Sequence, residues 1–111
     1  MSFEKYLAPL QEELITKNQG KNTLGASISA YTELVPYWEA ADIAFIGIQD
    51  YRGDNQEITE NEENLQNIRE ILYSYKKPIN TSYIIDLGNL ISGDTIEETT
   101  DRIKLITSTL L

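Results

Sequence analysis

The pattern of apolar positions predicts two buried strands in the second half of the chain. Residues 41–48 form a nearly continuous apolar run that ends in a polar, glycine-containing loop. Residues 82–87 form a second run, rich in β-branched and aromatic side chains, which Gly88-Asn89 closes. Strands that are covered on both faces show continuous runs of this kind instead of alternation. We therefore expect two parallel strands, with residues 43–48 at the centre of the fold.

Helical spacing predicts two helices that alternate with these strands. Thr59 and Glu62 can form a capping box at the start of the first helix, and Pro78 ends it near Lys77. Asp94 can cap the second helix, with a glutamate at its third position. The resulting order β-α-β-α is typical of a parallel sheet with right-handed crossovers. The apolar positions expected to be buried are Leu65, Ile68, Ile71, Leu72 and Tyr75 in the first helix, and Ile96, Ile103, Ile106 and Leu110 in the second.

The first 40 residues show weaker patterns. Apolar residues at helical spacing predict a helix from Ala8 or Pro9 to residues 18–20, because proline is tolerated in the first turn. Alternation over residues 24–30 predicts a short strand at a sheet edge, and residues 33–40 read as a packed loop. With 111 residues, the chain is a single α/β domain or the N-terminal fragment of a wider, mostly parallel sheet.

Composition excludes several classes of function. The chain carries nine basic and 18 acidic residues, a net charge of −9, so neither nucleic acid nor an anionic membrane surface is an expected partner. Cysteine and histidine are both absent. Their absence removes thiolate chemistry, the commonest general base and the commonest metal ligand. No run approaches the length of a membrane span, and a cytoplasmic protein is expected.

The loop after the first strand carries the candidate chemistry. Ligands of open α/β sheets bind outside the carboxyl ends of the strands, where Asp50, Arg52 and Asp54 follow residues 43–48. Carboxylates can bind a metal ion or carry protons. The alternative is a solvated turn, and no neighbouring residues complete a nucleophile, base and orienting group. Asp86, near the end of the second strand, could face the same crevice or cap a turn.

Several segments together resemble the N-terminal portion of the arginase, agmatinase and formimidoylglutamase family. Their order and spacing agree with that family over roughly residues 41–111. The family usually places a glycine-rich loop and a Gly-Pro pair where this chain has residues 55–64. The matching segments are residues 41–48, Asp50-Tyr51-Arg52-Gly53, residues 67–73 (Asn-Ile-Arg-Glu-Ile-Leu-Tyr), residues 84–90 (Ile-Ile-Asp-Leu-Gly-Asn-Leu) and residues 93–99 (Gly-Asp-Thr-Ile-Glu-Glu-Thr).

The resemblance implies a three-layer α/β/α enzyme that hydrolyses linear guanidino or formimino compounds with two manganese ions. The family's metal ligands lie in later histidine- and aspartate-rich motifs, none of which occurs here, so no catalytic or metal-binding residue is assigned and manganese is expected only in a full-length parent. Asp50, Arg52 and Asp54 become candidates for the rim of the site. Partners would be the remainder of the parent chain, or other subunits including a second copy, through an open sheet edge. The alternative is a free-standing acidic α/β interaction module without enzymatic activity.

Overall fold

The computed structural model describes residues 2–17, 20, 22–49, 62–77 and 82–111. A 3-10 turn at Phe3–Lys5 precedes the first strand. From Ile43 onward, strands and helices alternate. The strands are β1 (Leu7–Ala8), β2 (Ser29–Ala30), β3 (Ile43–Gly47) and β4 (Ile84–Leu90), and the helices are α1 (Glu12–Lys17), α2 (Leu24–Ser27), α3 (Glu62–Ser74) and α4 (Ile96–Leu110).

Strand β4 is the centre of the sheet, because each of the other three strands pairs with it. β2 and β3 both run parallel to β4 and share Ile85 and Asp86 as partners, so they lie on opposite edges of β4. β1 runs antiparallel to β4 and shares Asn89 with β3, which places β1 on the same edge as β2. The fold therefore combines helices with a mixed, open sheet.

The prediction that residues 43–48 form the buried centre is wrong. Ile43 and Ile48 are 45% and 46% exposed, whereas Ile85, Asp86 and Leu87 of β4 are fully buried. The physical reason is pairing: β4 has partners on both edges, and within the described residues β3 pairs on one edge only. An apolar run in the sequence indicates that the strand prefers burial. Whether that strand lies at the centre or at an edge of the sheet depends on which other strands pair with it.

Successive residues of β4 contribute to two different hydrophobic clusters, as expected when neighbouring side chains point to opposite faces of a strand. Ile84 belongs to one cluster with Tyr73 of α3, and Ile85 and Leu87 belong to the other with Ile106 of α4. We call them the Tyr73 cluster and the Leu87 cluster. Buried members of the first are Leu10, Leu14, Ile28, Tyr73 and Ile84; those of the second are Phe3, Leu7, Tyr31, Ile85, Leu87, Leu90 and Ile106.

The predicted edge strand over residues 24–30 is mostly wrong. Leu24–Ser27 is a helical turn, and only Ser29–Ala30 pairs with β4. Thr23 caps the turn, since its Oγ1 accepts a hydrogen bond from the Ala26 amide at 3.4 Å. The residues that alternate with the apolar positions are small, and small residues fit a helical turn as well as a strand.

The predicted start of the first helix is also wrong. Leu7–Ala8 is strand β1, and α1 begins at Glu12 instead of at Ala8 or Pro9. A two-residue strand is too short to show a period, and Pro9 then separates it from the helix. The loop over residues 33–40 packs in part: Trp38 meets Phe3 edge to face, with ring centroids 5.1 Å apart, while Tyr37 is largely exposed.

The structure shows the N-terminal cap of α4, at a residue next to the predicted one. Thr59, the predicted cap of α3, lies outside the described residues, and α3 begins at Glu62. In α4 the cap is Thr95 instead of Asp94: its Oγ1 accepts from the Glu98 amide at 3.2 Å. Glu98 in turn accepts from the Asp94 amide at 2.8 Å.

Over the described part of the chain, no helix has the length and apolar character needed to cross a bilayer.

Candidate functional site

The loop candidates Asp50, Arg52 and Asp54 lie outside the described residues. Asp86 lies inside them, at the middle of β4, where its side chain has no exposed surface. A carboxylate at such a position requires charged or hydrogen-bonding partners, because an isolated buried charge costs several kcal/mol or more. The partners of Asp86 therefore define the most unusual site of the described structure.

Asp86 forms a two-point ion pair with Arg69 of α3. Arg69 Nε donates to Oδ2 of Asp86 at 2.8 Å, and a second guanidinium nitrogen donates to Oδ1 at 3.1 Å. The side chain of Arg69 is 6% exposed. Because a planar guanidinium matches the two carboxylate oxygens, this geometry also fixes the orientation of both side chains. The pair links α3 to the central strand.

Two further donors complete the coordination of Asp86. The Tyr73 hydroxyl donates to Oδ2 at 2.5 Å, and the Gly88 amide donates to Oδ1 at 3.0 Å. Each carboxylate oxygen thus accepts two hydrogen bonds, which accounts for about four acceptor positions of an ionised carboxylate. Asp86 therefore has no lone pair left for a metal ion or for a substrate proton. The turn-capping role considered from the sequence corresponds to the hydrogen bond from the Gly88 amide, which is one of the four that Asp86 accepts.

Tyr73 is held in its neutral form. Burial, and then the negative charge of Asp86, raise the pKa of the Tyr73 phenol above its ordinary value of 10. The hydroxyl consequently stays a hydrogen-bond donor throughout the physiological pH range. Tyr73 has no exposed surface and belongs to the Tyr73 cluster, so it connects the ionic contact to the apolar packing.

Two glycines allow the backbone to approach this network. A Cβ atom on Gly47 would collide with the Asn89 side chain and lie 3.0 Å from the Arg69 guanidinium, so a side chain at this position would force the side chains of the network to shift. Asn89 itself accepts a hydrogen bond from Arg69. Gly88 has φ +84° and would collide with the Ala8 carbonyl if it carried a Cβ. Glycine at these positions keeps β1, β3 and α3 close to β4.

The sequence prediction for α3 selected the wrong face. Leu65 and Leu72 are partly buried as predicted, but Ile68, Ile71 and Tyr75 are 60%, 61% and 59% exposed. The buried positions of α3 are instead Arg69 and Tyr73. A signal was present: Asp86 interrupts an apolar strand, and Arg69 is the one basic residue in the sequence of α3.

A groove of about 200 Å³ lies beside the network, between the end of β3 and α3. Its lining is mainly apolar and also includes Arg69 and Asp86. Because Asp86 is saturated by its four donors, the groove offers an apolar surface and no reactive group. The apolar lining comes mainly from Phe45, Ile46, Ile48, Leu65, Ile68 and Leu72.

The described residues include no group of three or more histidine, cysteine, aspartate or glutamate side chains that could hold a metal ion. What the network does is structural: it joins α3, β4 and, through Gly47 and Asn89, β3. Comparison with known proteins adds no identification, since no protein-family model, curated protein or solved structure matches this chain.

Proposed function

We propose that this chain is the non-catalytic N-terminal domain of an arginase-family hydrolase. In this proposal the parent is a three-layer α/β/α enzyme of the cytoplasm with a mostly parallel sheet. It cleaves linear guanidino or formimino compounds with two manganese ions held by later parts of the polypeptide. This chain contributes the edge of the sheet, helices and, through Asp50, Arg52 and Asp54, the rim of the site.

One observation carries the proposal. The residues that resemble the family lie in separate segments, and two of those segments are bonded to each other through the buried network. Arg69 comes from the Asn-Ile-Arg segment, and Asp86, Gly88 and Asn89 come from the Asp-Leu-Gly-Asn segment. The two segments are therefore neighbours in the fold, as expected if they belong to one structural motif, and this contact supports the proposal.

The described residues of this chain do not form a site for a manganese pair. Carboxylate oxygens suit manganese, and the described residues hold no group of three or more carboxylate side chains that could bind it. The buried carboxylate of Asp86 is already saturated by Arg69, Tyr73 and Gly88. No chemical step is therefore assigned to this chain.

Sequencing the gene beyond the codon for Leu111 tests the proposal. We expect the reading frame to continue into histidine- and aspartate-rich motifs that provide the manganese ligands. A frame that stops, or continues without such motifs, contradicts the proposal. Manganese titration of this chain by calorimetry is the second test, with the longer protein as positive control. Specific stoichiometric binding by the 111 residues alone would show that the metal site lies here.

The second candidate is a free-standing acidic interaction module. The exposed apolar residues Ile68 and Ile71 of α3, and Tyr75 just after it, favour this candidate. All three are more than half exposed, and exposed apolar patches often mark interaction sites. The exposed Tyr37 gives a second contact region. A stop codon directly after Leu111 would support this candidate over the first.

A further inference from the structure

A second groove, of about 290 Å³, lies between the 3-10 turn at Phe3–Lys5 and the loop over residues 33–40. Residues 2–4 and residues 35–38 line it. Its volume is close to the lower limit for pockets that bind small ligands, about 300 Å³. None of the residues that line it belongs to the network around Asp86, so the groove is a separate site. We call it the aromatic groove, because its lining includes a phenylalanine, a tyrosine and a tryptophan.

Contacts with the core hold the aromatic groove in place. Phe3 is buried in the Leu87 cluster, and Trp38 packs against that cluster with its ring edge to face on Phe3. The Tyr83 hydroxyl donates to the Tyr37 carbonyl at 2.6 Å, which ties the loop to the segment just before β4. The groove is therefore formed before a ligand arrives, and a preformed site lowers the entropic cost of binding.

Two aromatic side chains of the groove retain binding capacity that the fold does not use. Tyr37 is 65% exposed. Within the described residues, the indole N–H of Trp38 has no hydrogen-bond partner, and this nitrogen is accessible to solvent. Tyrosine and tryptophan combine a large apolar ring with one polar group, which is why they are common at binding surfaces. The groove thus offers an open ring and an open donor side by side.

The charge around the aromatic groove is negative. Among the residues that line it, Glu4 is the one charged side chain. The adjoining loop adds Glu33 and Glu39, both exposed, and carries no lysine or arginine. The neighbouring cation Lys5 lies over the Tyr6 ring, with its Nζ atom 5.4 Å from the ring centroid. In a chain of net charge −9, this arrangement attracts a basic partner and repels an acidic one.

We infer that the aromatic groove binds a proline-containing peptide segment that carries arginine or lysine at its ends. Proline-rich segments adopt the polyproline II conformation, which packs into aromatic-lined grooves and leaves its carbonyl groups free to accept hydrogen bonds. The indole N–H of Trp38 is a donor for such a carbonyl, and Glu4 is a counter-ion for the basic residue. No described strand lines the groove, so a ligand there does not bind by extending the sheet.

A synthetic peptide provides a direct test, because Trp38 is the only tryptophan of the chain and reports on the groove. The probe is an acetylated and amidated Arg-Pro-Pro-Ala-Pro-Pro-Arg peptide, which has no aromatic residue. We expect it to change the Trp38 fluorescence saturably and to shift the indole N–H signal of the ¹⁵N-labelled chain. A peptide with alanine in place of every proline, and a peptide with glutamate in place of both arginines, should each bind at least about fivefold more weakly.

Matched variants of the chain locate the binding. Tyr37→Ala removes the exposed ring and should weaken binding about tenfold, whereas Tyr75→Ala removes a tyrosine of similar exposure, 59%, outside the groove and should have no effect. Glu4→Gln should weaken binding about threefold at low salt and less at high salt, with Glu13→Gln as its control. All four positions are exposed, so folding is expected to persist, and thermal melts followed by circular dichroism verify it.

Three results would overturn the inference: the peptide leaves both Trp38 signals unchanged, either altered peptide binds as tightly as the original, or the Tyr37→Ala chain binds as tightly as the unsubstituted one. If Tyr37→Ala does not fold, Glu4→Gln and the two altered peptides decide the question.

The inference does not depend on the arginase-family proposal, and it gives the second candidate, the interaction module, a partner of defined chemistry. The two fail separately. Peptide binding is measured on this chain alone, whereas the reading frame beyond Leu111 decides the family assignment.

Discussion

Strands β3 and β4 lie side by side, run in the same direction and come from similarly apolar stretches of sequence, yet they occupy opposite environments. β4 has partners on both edges and holds a buried ion pair, while β3 has a partner on one edge in the described structure and leaves Ile43 and Ile48 about half exposed. Hydrophobicity alone does not separate them. The buried charge does, because Asp86 is tolerated only where Arg69, Tyr73 and Gly88 surround it.

An apolar edge strand and an apolar central strand differ in how much of their backbone and side-chain surface the rest of the chain already covers. β4 is complete: its side chains fill two clusters and its carboxylate is saturated. Within the described residues, the outer edge of β3 is unpaired, and Ile43 in the strand and Ile48 just after it are about half exposed. Substitutions in the two strands should therefore differ in kind as well as in size.

The largest expected effect is at Asp86. Asp86→Asn removes the negative charge, leaves Arg69 buried without a counter-ion and replaces one acceptor by an amide donor that faces the guanidinium. Breaking one side of a buried pair costs about 3–5 kcal/mol, a large fraction of the stability of a small domain. Urea denaturation should show this loss in the free energy of unfolding, or an unfolded chain.

Asp42→Asn is the matched control for that measurement. Asp42 stands just before β3, is exposed, and accepts a hydrogen bond from the Tyr83 amide at 2.7 Å. Asparagine retains an acceptor oxygen, so we expect a loss of no more than about 0.5 kcal/mol. Equal losses at Asp86 and Asp42 would show that β4 has no special electrostatic role.

The second expected effect is the contrast between Ile85→Ala and Ile48→Ala. Ile85 is fully buried in the Leu87 cluster, and truncating it should cost about 2–5 kcal/mol through lost burial and a cavity. Ile48 is 46% exposed, so its truncation should cost less than half as much. Chemical denaturation of both variants measures the ratio. A larger loss at Ile48 than at Ile85 would restore the view that residues 43–48 form the centre of the fold.

The sequence predicts the second half of the fold better than the first. Long apolar runs and helical spacing are sufficient for the existence and order of β3, α3, β4 and α4. The two-residue strands β1 and β2 escape prediction because pairing with β4, a long-range property, defines them.

The candidate site could be predicted only in part. Asp86 stands out in an apolar strand, but its pairing with Arg69 depends on how α3 is rotated on the sheet. That rotation buries a cation and a tyrosine hydroxyl in preference to Ile68 and Ile71, which helical spacing alone cannot anticipate. The buried carboxylate of Asp86 needs a cation and hydrogen-bond donors. This need outweighs the gain from burying the more apolar face of α3. Asp50, Arg52 and Asp54 stay predictions, since they lie outside the described residues.

The smallest expected effect is a pH dependence that comes from Tyr73. Its pKa is raised above 10 in the folded state by burial and by Asp86, so above pH 10 the unfolded chain releases this proton while the folded chain keeps it. Stability that is fully present below pH 10 is then lost by about 1.4 kcal/mol per pH unit as pH rises toward the folded-state pKa.

Tyr73→Phe lacks this proton. At pH 7 it should be about 1.5 kcal/mol less stable, because a hydrogen bond to a charged group is lost, but its stability should fall less steeply above pH 10. Urea denaturation of both proteins between pH 8 and about pH 11 measures the difference between their free energies of unfolding. The other tyrosines are present in both proteins, so their contributions cancel in this difference. If the two curves stay parallel above pH 10, Tyr73 titrates alike in the folded and unfolded states, and the network around Asp86 is more open to water than its geometry indicates.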